Sequence, residues 1–385
     1  MSDTVSLGDI EAAREVIADV VRRTQAIESR YLSRTTGGGS IALKTENLQR
    51  TGSFKLRGAL NKISTLDPET TGVVTASAGN HGQSVAYAAR ARGLAATIFM
   101  PEGAALAKIA AARESGAEIV LTGESVDASL GEALAHAESE GLPFVHPFDD
   151  PAVIAGQGTI GLELLEEVGD LAKVVVPVGG GGLAAGVAAT IKASRDDVEV
   201  VGVTAQCPLA DGIAVKRPGE ITAPLLDDLL DDTVNVDQNA IADAIMLLLE
   251  RTKLVVEGAG AVGVAALIQE LVQPAATGTT VVILSGGNID TGVLADLARH
   301  HETARGRRLR IFTKIADEPG SLAALLTALG EGGANLIDID HVREGVGLSV
   351  SETGVELVME TRGPEHAKRL LELIEGLGYK PDVLS

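Results

Sequence analysis

The sequence predicts an α/β body whose parallel strands are covered by helices on both faces, followed by a smaller α+β unit. Three observations predict it. Between about residues 70 and 300, short β-branched runs alternate with alanine-rich helical patterns, the signature of strands buried on both faces. A charged stretch, His300-His301-Glu302-Thr303-Ala304-Arg305-Gly306-Arg307-Arg308, then interrupts the alternation. Beyond it the order becomes strand, helix, strand, strand, helix, strand, which fits a split βαβ sandwich.

In the body, Gly72-Val73-Val74-Thr75-Ala76-Ser77 reads as a buried strand and Gln83 to Arg92 as the following helix. Ala95 to Met100 is the next strand, stopped by Pro101, which cannot continue a ladder. Ala104 to Ser115 is helical, and Glu118 to Leu121 returns to the sheet. Val174 to Val178, Val198 to Val203 and Thr280 to Leu284 are further strands. Glu199 interrupts the apolar run Val198 to Val203 and marks a strand start or an edge. In the second unit, strands are expected at Leu309–Ile315, Ala334–Val342, Val355–Glu360 and Tyr379–Leu384, with helices at Ser321–Leu329 and Glu365–Leu377. The expected division is 1–303, a linker at 304–309, and 310–385.

Composition narrows the function classes. A chain of 385 residues exceeds what one core usually supports. Hydrophobic residues make up 45%, but aromatics only 2% with no Trp, so Val, Leu, Ile and Ala must fill the interior. The net charge of −21 argues against nucleic acid and anionic membranes, which recruit Lys and Arg. The single Cys207 cannot form an intrachain disulfide and reads as a structural or incidental thiol. No signal-peptide-like run and no apolar stretch of about 18 residues is present, so a soluble cytoplasmic protein is expected. His300 and His301 lack a carboxylate or thiol at a supporting spacing, and a solvated linker is the reading adopted.

The chemistry gathers in four segments. Lys55 lies in Thr51-Gly52-Ser53-Phe54-Lys55-Leu56-Arg57-Gly58, between an aromatic ring and a leucine. Apolar surroundings disfavour the ammonium, lower its pKa and make the amine a usable nucleophile and base. Gly179-Gly180-Gly181-Gly182 follows a strand and precedes a helix opening at Leu183. Bare amides at a positive helix terminus suit a phosphate; a flexible loop is the alternative. Ser77-Ala78-Gly79-Asn80-His81-Gly82 also joins a strand to a helix, and its amides could hold a carboxylate or simply cap the helix. His81 reads equally as a general base or a structural hydrogen-bonding group. Ser285, opening Ser285-Gly286-Gly287-Asn288, offers a hydroxyl to a ring nitrogen or a cap to the next helix. An amine for an imine, a phosphate cradle and a hydroxyl for a pyridine nitrogen together suggest pyridoxal 5'-phosphate. A neutral pyridine is a weaker electron sink, which favours β-elimination over transamination.

With these motifs in this order, the chain from about Asp9 to residue 298 resembles the fold-type II pyridoxal-phosphate enzymes. The threonine dehydratases (threonine ammonia-lyases) match best, with the serine racemases as a sister family. Supporting blocks are Glu46-Asn47-Leu48-Gln49, His146-Pro147-Phe148-Asp149-Asp150-Pro151, Ile154-Ala155-Gly156-Gln157-Gly158-Thr159, Ala210-Asp211-Gly212-Ile213-Ala214-Val215 and Leu254-Val255-Val256-Glu257. The resemblance implies two open, mostly parallel sheet subdomains. It implies that Lys55 carries the cofactor as an imine, with Phe54 packed on the ring and Asn80 at the ring hydroxyl oxygen. Gly179 to Gly182 with Leu183 would take the phosphate, Ser285 the pyridine nitrogen, and Ser77, Ala78, Gly79, Asn80 and His81 the substrate carboxylate. The second unit resembles an ACT domain, a regulatory amino-acid-binding module, with Asp317-Glu318-Pro319-Gly320-Ser321-Leu322 as its loop after the first strand.

Three departures from the family pattern stand out. Ala78 replaces the serine of the racemase pattern, which favours a lyase. Thr204 and Ala210 stand where some relatives have metal-binding carboxylates, so no metal is expected there. The segment from Val203 to Ala210 is short, which bears on substrate gating. The implied reaction is β-elimination from an external aldimine, turning L-threonine into 2-oxobutyrate and ammonia and L-serine into pyruvate. A homo-oligomer, dimer or tetramer, is expected, with an amino-acid effector at the second unit. The alternatives are a serine racemase, a threonine synthase or other β-replacement enzyme of the same fold, and a catalytically silent amino-acid sensor.

Overall fold

A computed structural model describes residues 5–384 apart from 38, 216 and 344–346. It divides into two compact units, Met1–Asp290 and Thr291–Ser385. The described strands of the first are β1 (Ala26–Glu28), β2 (Ser40–Lys44), β3 (Gly72–Ala76), β4 (Ala95–Met100), β5 (Glu118–Leu121), β6 (Leu171–Pro177), β7 (Glu199–Thr204), β8 (Asp232–Asn235) and β9 (Thr279–Ile283). They form a six-stranded sheet in the order β1-β2-β9-β6-β7-β8 and a three-stranded sheet, β3-β4-β5. Every neighbouring pair is parallel except β1 with β2.

The β-branched runs behave as their composition requires. β3 and β9 are buried at every position, and β6 at all but Ala172. Helices Pro151–Glu167 and Gly182–Ser194 pack with the six-stranded sheet around Ile154, Ile160, Val174, Val176, Val187 and Ile283, all fully buried. Each such side chain contributes about 1.5–3 kcal/mol of burial. Leu56, Ile63, Val73, Val85 and Ile98 form the core beside the smaller sheet.

Close helix contact positions the Lys55 segment. Asp150 caps helix Pro151–Glu167 by accepting from the amides of Ala152 and Val153. That helix meets Lys55–Ser64 through glycines: a Cβ on Gly156 would lie 2.6 Å from Gly58 Cα. A larger residue would push the two helices apart.

Three strands lie outside the sequence expectation, each for a physical reason. β1 is three residues long, and β8 is short with no buried position, so neither carries an apolar pattern. β2 ends in Lys44, whose fully buried ammonium pairs with Glu163 at 2.7 Å and Glu167 at 3.3 Å. Glu199 opens β7, pairing with Lys173 at 3.1 Å, and does not mark an edge because β7 lies between β6 and β8. The helix expected from Gln83 starts at Asn80, bringing Asn80 and His81 into its first turn.

The second unit has β10 (Arg308–Ala316), β11 (Asn335–Val342), β12 (Glu352–Glu360) and β13 (Asp382–Val383), in an antiparallel sheet ordered β11-β12-β10-β13. Helices Ser321–Glu331 and Pro364–Gly376 complete the βαββαβ order and pack Leu325, Leu329, Leu370 and Ile374 against Ile311, Leu357 and Met359. The final strand is much shorter than Tyr379–Leu384. The stretch expected as a linker, 304–309, runs from the last residue of a helix through a three-residue turn, 305–307, into a strand. Helix Thr291–Ala304 closes when Gly306 adopts a φ of +62°. There Arg307 N–H donates to Glu302 O at 2.8 Å and Gly306 N–H to Thr303 O at 2.9 Å, and β10 opens at Arg308.

Candidate active site

The loops after β3, β6 and β9 converge on one cavity of about 320 Å³. Phe54, Lys55, Ser77, Ala78, Gly79, Asn80, His81, the four glycines 179–182, Leu183 and Ser285 all line it. Every site residue singled out from the sequence is therefore brought to the same place.

Lys55 stands in the first turn of helix Lys55–Ser64. Its segment is stitched to the end of β9: Phe54 N–H donates to Ser285 O at 3.0 Å, and Ser53 pairs with Gly286 in an isolated bridge. Lys55 Nζ donates to Pro147 O at 2.7 Å and lies 5.2 Å from the centre of the Phe54 ring. Burial pulls its pKa down to about 8, against the nearby Glu257 carboxylate, which favours the charged form.

The glycine run is dictated by its surroundings as much as by its open face. A Cβ on Gly179 would lie 2.8 Å from Ile213 Cα, one on Gly180 would overlap the Phe148 ring, and Gly181 has a φ of +96°. Among the described residues no protein acceptor meets the amides of Gly179 through Leu183. Free N–H groups at the start of helix Gly182–Ser194 make a concentrated site for an anion.

His81 is buried and its Nε2 meets Val145 O at 2.9 Å. Burial first, and then the charge of Lys55, bring its pKa to about 3, so the ring is neutral and Nε2 is the donor. That hydrogen bond supports the structural reading of His81 over the general-base one. Asn80 is held on both amide atoms: Nδ2 donates to Glu257 Oε1 at 2.7 Å, and Oδ1 accepts from Asn288 Nδ2 at 2.7 Å. The second Nδ2 proton is left for a ligand. Among the described residues, Ser285 Oγ has only a long contact, 3.4 Å, with Ala259 O.

Some lining residues have no assigned role in the sequence reading. Glu257 faces the cavity, where burial raises its carboxyl to about 7 against the Asn80 hydrogen bond. Lys108 and Asp211 also line it and pair at 2.7 Å. Behind the Lys55 helix, Arg57 binds Glu46 and Glu163 at 2.8 and 2.7 Å with almost no exposure. A charge in a motif gives no sign that its partners are buried; for Glu257 the only signal is the apolar run before it.

The chain matches the family described as "Pyridoxal-phosphate dependent enzyme" over residues 17–286, and it belongs to that family. More narrowly, it is 45% identical to the L-threonine ammonia-lyase of Geobacter sulfurreducens, covering 97% of this chain and 98% of that one. It is 44% identical to the L-threonine ammonia-lyase of Thermotoga maritima, covering 98% of each. Among solved structures, the threonine deaminase of T.th. is 40% identical with a TM-score of 0.70, covering 74% of this chain and 99% of that one. Maize serine racemase is 32% identical with a TM-score of 0.72, covering 79% and 99%. The first unit thus has the fold-type II architecture of this cofactor class. Its residues fit the cofactor: amides that are unpaired among the described residues for a phosphate, a depressed-pKa amine in the same cavity, and an underused hydroxyl at Ser285.

Proposed function

We propose that the protein is a threonine ammonia-lyase, converting L-threonine to 2-oxobutyrate and ammonia and also turning L-serine into pyruvate. The observation that carries this reading is the placement of the Lys55 amine in one cavity with the free amides of Gly179–Leu183. The near full-length similarity to two ammonia-lyases supports it. Bound pyridoxal 5'-phosphate supplies the electron sink that acidifies the substrate's α-carbon.

The chain's own groups do the rest. Gly179 to Gly182 with Leu183 would hold the phosphate, Phe54 would pack on the ring, Asn80 would serve the ring hydroxyl and Ser285 the pyridine nitrogen. Ser77 through His81 present the helix start at Asn80 to the substrate carboxylate. Lys55, the attachment point, is the base that takes the α-proton, and its pKa of about 8 keeps a useful fraction of amine near neutrality. Ala78 has no hydroxyl to return a proton to the opposite face, which favours lyase over racemase.

The test is a 2-oxo acid assay with threonine and serine on wild type and Lys55→Ala, with chiral analysis of recovered serine. Turnover to 2-oxobutyrate that vanishes in the variant is expected. D-serine as the main product would favour the racemase; turnover surviving in the variant would remove Lys55 from the mechanism.

The second reading concerns residues 310–385, which we assign as an ACT-like regulatory domain following a catalytic region at 1–303. Its βαββαβ order and the loop at Asp317–Leu322, where Gly320 has a φ of +98°, support it. A branched-chain amino acid such as isoleucine or valine is the proposed effector, in a cytoplasmic homo-oligomer, dimer or tetramer, serving isoleucine biosynthesis. Among the described residues no helix is long and apolar enough to cross a membrane. Calorimetry on the full chain should detect binding of one of these amino acids; no heat with any of them would remove the effector.

A further inference from the structure

Thr222 does not line the cavity, is fully buried, and opens helix Thr222–Leu229. Its hydroxyl accepts from Gly219 N–H at 2.8 Å and donates to the carbonyl oxygen of Gly180 at 2.6 Å. A carbonyl oxygen can only accept, so the proton of the 2.6 Å contact with Gly180 is the one carried by the Thr222 hydroxyl. Asp149 anchors this element in turn, accepting from the amides of Glu220 at 2.9 Å, Ile221 at 2.9 Å and Thr222 at 3.1 Å.

The consequence lies in the Gly180–Gly181 peptide. A peptide flanked by two glycines can turn over with little steric penalty, exposing either its N–H or its C=O. This peptide is trans, so the Gly181 N–H points opposite to the Gly180 carbonyl. With the carbonyl held by Thr222 at 2.6 Å, and more weakly by Gly219 N–H at 3.4 Å, the Gly181 amide faces away from Thr222 and meets no protein acceptor among the described residues. Both glycines line the cavity. A turned-over peptide would present an oxygen where an anion needs a donor.

We propose that Thr222, braced by Asp149, is a positioning residue that sets the donor polarity of the glycine loop and so its preference for a phosphate-bearing ligand. This rests on the reading that the loop holds the phosphate of pyridoxal 5'-phosphate. The serine variant keeps both hydrogen bonds, the near-isosteric valine variant neither.

The experiment titrates the cofactor-free protein with pyridoxal 5'-phosphate and with pyridoxal, which lacks the phosphate, following absorbance of the bound species. Thr222→Val should lose about tenfold or more of the wild-type affinity ratio, with pyridoxal affinity held within about twofold. Thr222→Ser should keep the ratio. Asp149→Asn, which weakens the anchor and leaves the Thr222 hydroxyl in place, should lower it by a smaller factor and covers the case in which Thr222→Val does not fold. An unchanged ratio in the valine variant, or an equal loss for both ligands, would overturn the proposal. A wild-type ratio near one would instead overturn the phosphate reading itself, and the role of Thr222 with it.

Discussion

The Lys55 ammonium donates to Pro147 O at 2.7 Å, joining the first turn of one helix to the loop that leads into helix Pro151–Glu167. With its pKa at about 8, the amine is the minority form at neutral pH. Capture of cofactor by the apo-protein should therefore quicken about tenfold per pH unit below pH 8 and level off above it. Stopped-flow absorbance across this range is the check; a rate still climbing at about pH 10 would indicate an ordinary lysine.

Glu257 carries the opposite perturbation. Its folded-state pKa of about 7 exceeds the ordinary 4.5, so the native state is penalised as pH rises between these values. Glu257→Gln removes the ionisation and can still accept from Asn80. The variant should match wild type near pH 4 and gain on the order of 1–2 kcal/mol above pH 7, the full shift being discounted for the cavity's access to solvent. Denaturant melts at several pH values measure this, and a gain independent of pH would contradict it.

Arg57 tests the support behind the site. Burial alone would push Glu46 up, but the Arg57 guanidinium outweighs it and holds the carboxyl below its usual range. That contribution to stability is present above the ordinary carboxylate pKa and is lost as pH falls through the lowered one. Arg57→Met leaves Glu46 buried and unpaired and should cost about 3–5 kcal/mol. Adding Glu46→Gln should recover part of the loss in a double-mutant cycle; strict additivity would show that the pair does not interact.

Gly180 is bounded by the Phe148 ring on the side where a Cβ would project. Gly180→Ala should destabilise the fold by about 1–3 kcal/mol through overpacking. It should also weaken cofactor binding, because the loop must shift to relieve the overlap. Equilibrium unfolding and cofactor titration measure the two effects, and wild-type values in both would show the loop to be pliant.

Much of the site is legible because its chemistry sits at strand ends. Val73-Val74, Val174-Val175-Val176 and Val281-Val282 announce buried strands, and Ser77, Gly179 and Ser285 follow them. Local pattern serves equally well for the βαββαβ order. What it does not reach are features made by pairing: β8, held by registry with β7; Lys44, a charge in the sheet satisfied by Glu163; and Glu257, whose environment comes from Asn80, Asp211 and Lys108 far away in the chain. His81 stands between two roles in the sequence because a ring that bonds Val145 O looks there like a free one.

Borohydride reduction of the protein loaded with pyridoxal 5'-phosphate, followed by peptide mass mapping, tests the covalent assignment most directly. One cofactor-derived adduct should be found on the peptide containing Lys55, and none should form in Lys55→Ala. An unmodified Lys55 in cofactor-loaded protein, or an adduct confined to another lysine, would contradict the proposed chemistry.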